Sequence, residues 1–425
     1  MSTLTQGSRI FLPLQSMSEC HACGSTKNLR ICSGCGERTY CSRECQFNQW
    51  KEHKPFCKTN RIGVATIYPI FAFMVDQVHF SALATDAAHP GLKHKILSDE
   101  PETSLPDGTI GRLIRLGPPF SVLAPGAEPS PDRLQAWHPT GNDMSSRFLL
   151  MDFFMRHGPV APSVLSVCLA ILETIYTTAT VPSSSSSVPS SIRTRLRYRS
   201  SPVVDFGICS GSVTPEPSTL SKPLPVIYQY EDGTILPGPD RENHLWIYFD
   251  TLNGERILLD SNLFSMGQMD SVDTGPYHVE PYSRPIPAVF FDRSERRRGV
   301  LVHQERKSFS ILRNLDLHQI TWPSNSTGDI QSLRAVASLL DTIKAPSHAS
   351  ETDRDLCLQS TVAHVKCMQE VIQSNRWKSF PVKPEVFINM PVPPGPAGEA
   401  VREQINQVRG GRKDSKKAQR GKKRK

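Results

Sequence analysis

The chain lacks any long hydrophobic run. Its best apolar stretch, Ile62 to Val75, has fourteen residues, contains Pro69 and ends at Asp76, whereas a membrane-spanning helix needs about 20 residues. The first residues also lack the basic start and the apolar stretch of a signal peptide. We therefore expect an intracellular protein with no membrane partner.

Net charge is almost absent outside the C-terminus. Residues 409–425 hold ten Lys or Arg and one Asp, which is a net charge of +9. Because the whole chain has a net charge of +8, the other 408 residues together carry a net charge of −1. A basic tail of this kind predicts a nuclear import signal and favours the nucleus over the cytoplasm. A plain solvated tail and a nucleic-acid-binding arm are the alternatives, and nucleic acid is not the favoured partner.

Familiar catalytic motifs are missing as well. The sequence has no P-loop, no G-x-S-x-G and no dinucleotide glycine fingerprint. An enzyme with an unrecognised active site in residues 201–380 stays open as an alternative. Converging titratable groups would mark such a site, and the polar side chains to inspect are His244, Asp250, Asp260, His303 and Asp316.

Cysteine is abundant in one place only, because seven of the 11 cysteines lie within residues 20–57. With one histidine they give eight metal donors, which are Cys20, Cys23, Cys32, Cys35, Cys41, Cys45, His53 and Cys57. In a reducing compartment such a cluster indicates metal ligands rather than disulfides. Eight donors fill two tetrahedral zinc sites.

The donors come in local pairs of two kinds. Cys23 and Cys35 each close a C-x2-C pair and are followed by glycine, a zinc-knuckle pattern in which backbone N–H groups point at the sulfurs. The pairs Cys41/Cys45 and His53/Cys57 are spaced i,i+4, which places both members on one face of a helical turn. Knuckles and helical turns should therefore each supply half of the ligands.

The run Y-C-S-R-E-C-Q-F-N-Q-W-K-E-H-K-P-F-C over residues 40–57 resembles the MYND-type zinc finger. The resemblance implies two interleaved structural zinc ions, the first on Cys20, Cys23, Cys41 and Cys45 and the second on Cys32, Cys35, His53 and Cys57. Neither site would keep an open position for catalysis. The resemblance also implies protein partners that carry proline-containing peptides, with Gln46 and Trp50 as candidate contacts. Their competing roles are structural.

Some MYND proteins are lysine methyltransferases with a split SET domain, which needs an Asn-His-Ser-Cys-x-Pro-Asn segment. The one Asn-His pair here is Asn243-His244, followed by Leu245-Trp246, so this activity is not expected. The runs at 244–249 and 309–314 resemble uncharacterised fungal MYND proteins, which bring no known activity. The preferred hypothesis is a non-enzymatic adaptor that binds partner proteins through its zinc finger.

The rest of the chain predicts an α+β fold in segments. These are a lead-in (1–19), the zinc finger (20–57), a mostly helical region with irregular connections (58–181), a Ser/Arg-rich linker (182–200), a β-rich region (201–320), a helical region (321–380) and a Pro-rich then basic disordered tail (381–425). We expect the finger and the body to have separate cores.

Several local predictions are specific enough to test. A helix over 61–88 should be interrupted at Pro69, residues 98–142 should be irregular apart from a strand at 110–116, and the alternating arginines of 193–199 favour a solvated linker end over an edge strand. Asn253-Gly254 predicts a type I′ hairpin turn. Cys357, His364 and Cys367 fit a helix core better than a third metal site.

Overall fold

The structure, a computed structural model, describes residues 9–10, 18–57, 60–122, 130–176, 178–179, 194–214, 224–268, 270–277, 285–295, 301–318, 330–345 and 347–388. The predicted α+β class is confirmed. Within these ranges the helices are α1 (Arg43–Asn48), α2 (Trp50–Cys57), α3 (Val64–Ala82), α4 (Pro131–Trp137), α5 (Met144–Arg156), α6 (Val160–Ile171), α7 (Leu315–His318), α8 (Ile330–Lys344) and α9 (Glu351–Gln373). The predicted basic tail and the serine run lie outside the described residues.

The strands are β1 (Arg9–Ile10), β2 (Arg30–Ile31), β3 (Thr39–Tyr40), β4 (Asn60–Gly63), β5 (His94–Ser104), β6 (Ile110–Pro119), β7 (Thr178–Ala179), β8 (Thr194–Tyr198), β9 (Ser201–Thr214), β10 (Val226–Tyr230), β11 (Ile235–Pro237), β12 (His244–Thr251), β13 (Arg256–Asp260), β14 (Asp270–Val272), β15 (Ile286–Pro287), β16 (Val289–Asp292), β17 (Val302–Ser310) and β18 (Val386–Ile388). A π-helical turn, Leu172–Tyr176, continues α6.

A seven-stranded sheet organises the body. Its order is β16-β13-β12-β9-β8-β4, and β17 pairs with β9 as well. The β12–β13 hairpin alternates as predicted: Leu245, Ile247 and Phe249 enter the main core with α3, α6 and α9, while Trp246 and Tyr248 pack on the opposite face. Because successive side chains of a strand point to opposite faces, the sequence predicts both faces of this hairpin correctly.

A second sheet was not predicted. Its order is β11-β10-β6-β5, and it packs with α4 and α5 around a core of its own that includes Trp137, Phe154 and Tyr228. Residues 98–142 were expected to be irregular apart from a strand at 110–116. They contain most of β5 as well as β6, which includes the predicted strand. Acidic residues and Pro101 hide the strand pattern of β5, whose pairing to β6 has several register shifts. The Asp107-Gly108 pair, with Gly108 at φ 81°, was the overlooked turn signal.

Residues 194–198 of the arginine-rich run form a strand rather than a solvated linker end. Strand β8 pairs in parallel with β4 and antiparallel with β9. Thr194, Arg195 and Leu196 are buried. The sequence-based preference is wrong here because Arg195 has a buried acidic partner, Glu37, that is distant in the sequence.

Two other local predictions need correction. Helix α3 runs through Pro69, its sixth residue. The proline removes one helical hydrogen bond, and burial of Ile67, Ile70 and Phe71 in the main core holds the helix together on both sides of it. The β12–β13 turn is not type I′: Gly254 has φ 84°, whereas Asn253 is not among the positive-φ residues of the described chain. Thr251 N–H bonds Glu255 O at 2.9 Å across the loop, which fits a three-residue turn ending in a left-handed glycine.

The long helices otherwise lie where their patterns place them. Helix α6 begins after Pro159 and accommodates Pro162 in its first turn. Helix α9 starts with a capping box of Ser350 and Asp353. Within the described chain no single helix is long and apolar enough to cross a membrane, although the bent pair 146–156 and 160–176, at 66° to each other, meets the length and composition criteria together.

Candidate zinc centre

Short elements bring the eight predicted donors together. Strands β2 and β3 pair with each other, and Ser42 caps α1 by accepting a hydrogen bond from Cys45 N–H at 3.2 Å. Both knuckle glycines, Gly24 and Gly36, have φ of 70°. Tyr40 is buried between the knuckles and packs edge-on to the His53 ring at 5.8 Å between ring centroids.

The first ligand set is Cys20, Cys23, Cys41 and Cys45, whose sulfur atoms all lie within 4.8 Å of one another. Cys23 Sγ is 3.5 Å from Cys41 Sγ, and Cys45 Sγ is 3.5 Å from Cys41 Sγ and 3.8 Å from Cys23 Sγ. With Zn–S bonds of about 2.3 Å, tetrahedral coordination sets sulfur–sulfur separations of about 3.8 Å. The set therefore fits one zinc ion.

The second set is Cys32, Cys35, His53 and Cys57, again within 4.8 Å. Cys32 Sγ and Cys57 Sγ are 3.9 Å apart, and His53 Nε2 lies 3.3 Å from Cys32 Sγ and 3.7 Å from Cys35 Sγ. His53 thus presents Nε2 to the common centre. The two sets alternate along the chain, so the implied interleaved sites, which hold two structural zinc ions, are confirmed.

Backbone N–H groups support the knuckle thiolates as the pattern predicts. Burial raises the pKa of Cys20, but hydrogen bonds from the backbone of Cys41, Ala22 and Cys23 outweigh it and lower that pKa to about 6. The hydrogen bond with the Cys35 side chain is the largest cause that lowers the pKa of Cys32 to about 3, and the backbone of Gly34 acts in the same direction. Thiolates, the metal-binding form of cysteine, are thereby favoured at Cys20 and Cys32, whereas the hydrogen bond with the Cys32 side chain is the largest cause that raises the pKa of Cys35.

Comparison with known proteins agrees with this geometry. Residues 20–57 match the family of the MYND finger. This segment is a MYND finger. The histone-lysine N-methyltransferase ASHR1 of Arabidopsis thaliana is 40% identical over 57 residues, which are 13% of this chain and 12% of that protein. The similarity spans about an eighth of the relative's length, so its activity does not transfer to this chain. No solved structure matches.

The two candidate peptide contacts in the MYND finger lie in different settings. The Gln46 side chain is half-buried, and its Nε2 donates to Cys32 Sγ at 3.7 Å, so the amide supports the second zinc site. Trp50 is 38% exposed and packs edge-on to the His53 ring, with 5.7 Å between ring centroids. One face of the Trp50 indole therefore supports a zinc ligand, and the rest of the ring is available on the surface.

Phe47 is the surface residue that sequence reasoning missed. It lies on α1, three residues before Trp50, and is 76% exposed. Exposed large aromatic side chains on a small domain are typical of recognition surfaces. The signal was present in the sequence, because Phe47 follows Cys45 by two residues, and residues two apart on a helix do not face the same side. Cys41 itself lies before the N-cap of α1.

Three of the five polar residues flagged in the body do converge. His244 Nε2 lies 2.6 Å and His303 Nε2 2.8 Å from the same oxygen, Asp260 Oδ2. The three side chains are almost completely buried. Burial raises the pKa of the Asp260 carboxyl, but the two histidines outweigh it and lower that pKa well below its usual range. The cluster joins β12, β13 and β17 in the interior, where Nδ1 of His303 is also buried.

The other two flagged residues lie elsewhere. Asp250 pairs with Arg256 at 2.7 Å, and Asp316 lines a surface cleft between the end of β17 and α8, together with Arg313 and Arg334. In the described chain the metal-type donor groups are the two finger sets. Cys357 and His364 are buried in α9 and Cys367 is half-buried there, which agrees with the prediction of a helix core.

Proposed function

We propose that this protein is a zinc-dependent adaptor whose MYND finger binds peptide segments of partner proteins. MYND fingers are zinc-binding protein-interaction domains. The observation that carries the proposal for this chain is the exposure of two aromatic side chains three residues apart, Phe47 near the end of α1 and Trp50 at the start of α2. The first contributes a free aromatic ring, and the second an indole held by the His53 ring.

The preferred ligand is a short proline-containing peptide. Proline has a preset backbone and an apolar ring, so it packs well on exposed aromatic side chains at small entropic cost. The geometry supports Trp50 as a direct contact more strongly than Gln46, whose side-chain N–H group is engaged with Cys32 Sγ. We infer that Gln46 contributes mainly by holding the second zinc site in shape.

The test is selection of peptides from a displayed library with the full-length zinc-loaded protein. Phe47→Ser is the informative variant, because Phe47 supports no ligand in the described structure, whereas Trp50→Ala would also disturb His53. Val382→Ser is the control, since Val382 is equally exposed, at 76%, but lies in the body.

We expect proline-containing peptides to be enriched by the wild type and by Val382→Ser, and to be lost with Phe47→Ser and after zinc removal. Equal enrichment by all forms, or enrichment of peptides without proline, would contradict the proposal.

An enzyme in residues 201–380 is the alternative. Its best support is the cleft with Asp316, Arg313 and Arg334 above apolar Phe309 and Leu339. The buried cluster of His244, Asp260 and His303 supports strand packing instead. The two atoms that contact Asp260 Oδ2 are ring nitrogens from neighbouring strands of the protein itself. The adaptor is therefore the better supported function.

A further inference from the structure

The finger is docked on the body by a buried ion pair. Glu37, in the second knuckle, accepts from Arg195 Nε at 2.9 Å, and both side chains are about 5% exposed. Arg195 also donates from Nη1 to the carbonyl oxygens of Ile175 and Thr194. Its guanidinium lies over the Tyr176 ring, 5.4 Å from the centroid. Glu37 thus pairs with a guanidinium that three groups of the body hold in place: the carbonyl oxygens of Ile175 and Thr194 and the Tyr176 ring.

The same interface contains the second zinc site. Glu37 N–H donates to Cys35 Sγ at 3.4 Å, so the ion-pairing residue also supports a zinc ligand. A Cβ added to Gly36 would lie 3.2 Å from Pro202 Cγ, which shows how closely this knuckle approaches β9.

The last ligand is tied to the same strand of the body. Only two residues separate Cys57 from β4, which pairs in parallel with β8 so that Arg61 lies opposite Arg195. The second site is therefore attached to β8 at both ends, through Glu37 at the knuckle and through β4 after Cys57.

The first site has a different environment. In the first site Cys20 is buried, but Cys23 is exposed and Cys41 and Cys45 are half-buried. In the second site Cys32, Cys35 and His53 are buried and Cys57 is half-buried. Within the described chain, the hydrogen bonds of the four cysteines of the first site join them to residues of the finger itself. A chelator or an alkylating reagent would reach this site without passing the body.

We propose that the two zinc ions are held unequally: the second site is a shared element of finger and body that Glu37 and Arg195 position, and the first is the exchangeable site. Removing the carboxylate of Glu37 leaves the Arg195 cation buried beside the knuckle, and a broken buried pair is among the more disruptive single changes. Coupling between two sites is reciprocal. Loss of the second zinc ion should therefore also loosen the docking of the finger.

The unequal holding of the two zinc ions is tested by following zinc release from the full-length protein to an excess of a colorimetric chelator. The wild type should release two zinc ions in two phases of one ion each. Glu37→Gln, which keeps the size of the side chain and removes its charge, should accelerate the slow phase by about tenfold or more and leave the fast phase unchanged. Glu242→Gln, at an exposed glutamate of the body, is the control and should change neither phase.

Thiol alkylation followed by mass spectrometry assigns the phases in the wild type, so the test does not depend on the folding of a variant. At the end of the fast phase Cys23, Cys41 and Cys45 should be labelled, and Cys32 and Cys35 should be protected. A single release phase, labelling of the second set first, or an unchanged slow phase in folded Glu37→Gln would overturn the proposal.

Discussion

At the scale of single residues, the two knuckle glycines provide a matched pair. Both have φ of 70°, where alanine costs about 1–2 kcal/mol. Around Gly24 nothing lies within 4 Å of an added Cβ, whereas at Gly36 it would lie 3.1 Å from Val204 Cγ1 and 3.2 Å from Pro202 Cγ. We expect Gly24→Ala to lower the free energy of unfolding by about 1–2 kcal/mol and Gly36→Ala by about 1–3 kcal/mol more.

Urea unfolding of the zinc-loaded proteins, with the midpoint and slope of each transition, measures the difference. Equal losses for the two variants would show that the second knuckle does not press on β9.

The zinc ligands themselves were predictable, because each pair is local in the sequence. The partner of Glu37 was not, since Arg195 is 158 positions away and looked like one of several solvated arginines.

At the scale of elements, a buried arginine connects helices α3 and α5. Arg156 at the end of α5 bonds Asp76 of α3 at 2.7 Å and Asp152 at 2.9 Å, and it lies over the Phe264 ring. Arg156→Met removes the cation and leaves the Asp76 carboxylate buried, so we expect a loss of about 3–5 kcal/mol in the free energy of unfolding.

A double-mutant cycle with Asp76→Asn checks the cause. The double variant should lose less than the sum of the two single variants, because Asp76→Asn removes the buried charge that Arg156→Met deprives of its cation. Arg115→Met is the control: its partner Glu100 is in an exposed pair, which contributes about 1 kcal/mol or less. Strict additivity of Arg156→Met and Asp76→Asn would argue that Arg156 acts through packing only.

Elements with a regular spacing of apolar residues were predictable, and strands whose pairing depends on residues distant in the sequence were not. Helices α8 and α9 and the β12–β13 hairpin follow from their apolar spacing. Strand β5 has bulged pairing with β6, and β8 is buried because β4 and β9 flank it. In both cases the strand is stabilised by neighbours that a local pattern does not contain.

At the scale of the whole molecule, the finger and the body have separate apolar clusters, as expected, yet the Glu37–Arg195 pair joins them. A ligand substitution such as Cys35→Ala should therefore weaken the edge of the sheet at β4 and β8 as well as the finger. Faster amide hydrogen exchange in β8 of that variant, and an unchanged rate in β13, is the expected result. Protection of β8 equal to that of the wild type would mean that the finger unfolds alone.

The basic tail yields a prediction about the whole chain in a cell. Residues 409–425 carry a net of +9, the composition of a nuclear import signal. Deleting them should move a tagged protein from the nucleus to the cytoplasm, and fusion of an unrelated import signal to the shortened chain should restore the distribution. An unchanged distribution after deletion would exclude import as the role of the tail.

Buried histidines should make the whole fold sensitive to acid. Burial is the largest cause that lowers the pKa of His79 and His157 to about 4 and that of His364 to about 3, from an unfolded value of about 6.5. Below pH 6.5 the unfolded chain therefore binds more protons than the folded one. The stability that these neutral rings contribute is complete above pH 6.5 and is lost as the pH falls towards 4.

At pH 5 each of these histidines should cost roughly 1–2 kcal/mol, a large part of the roughly 5–15 kcal/mol that stabilises a typical protein. Urea midpoints at pH 7.5, 6 and 5 measure the effect, with bound zinc monitored because acid also protonates its ligands. His364→Gln removes one titrating ring and should reduce the loss between pH 6.5 and 5, whereas His348→Gln, at an exposed ring, should not. If both variants show the wild-type slope, the protonation of His364 does not contribute to the loss of stability in acid.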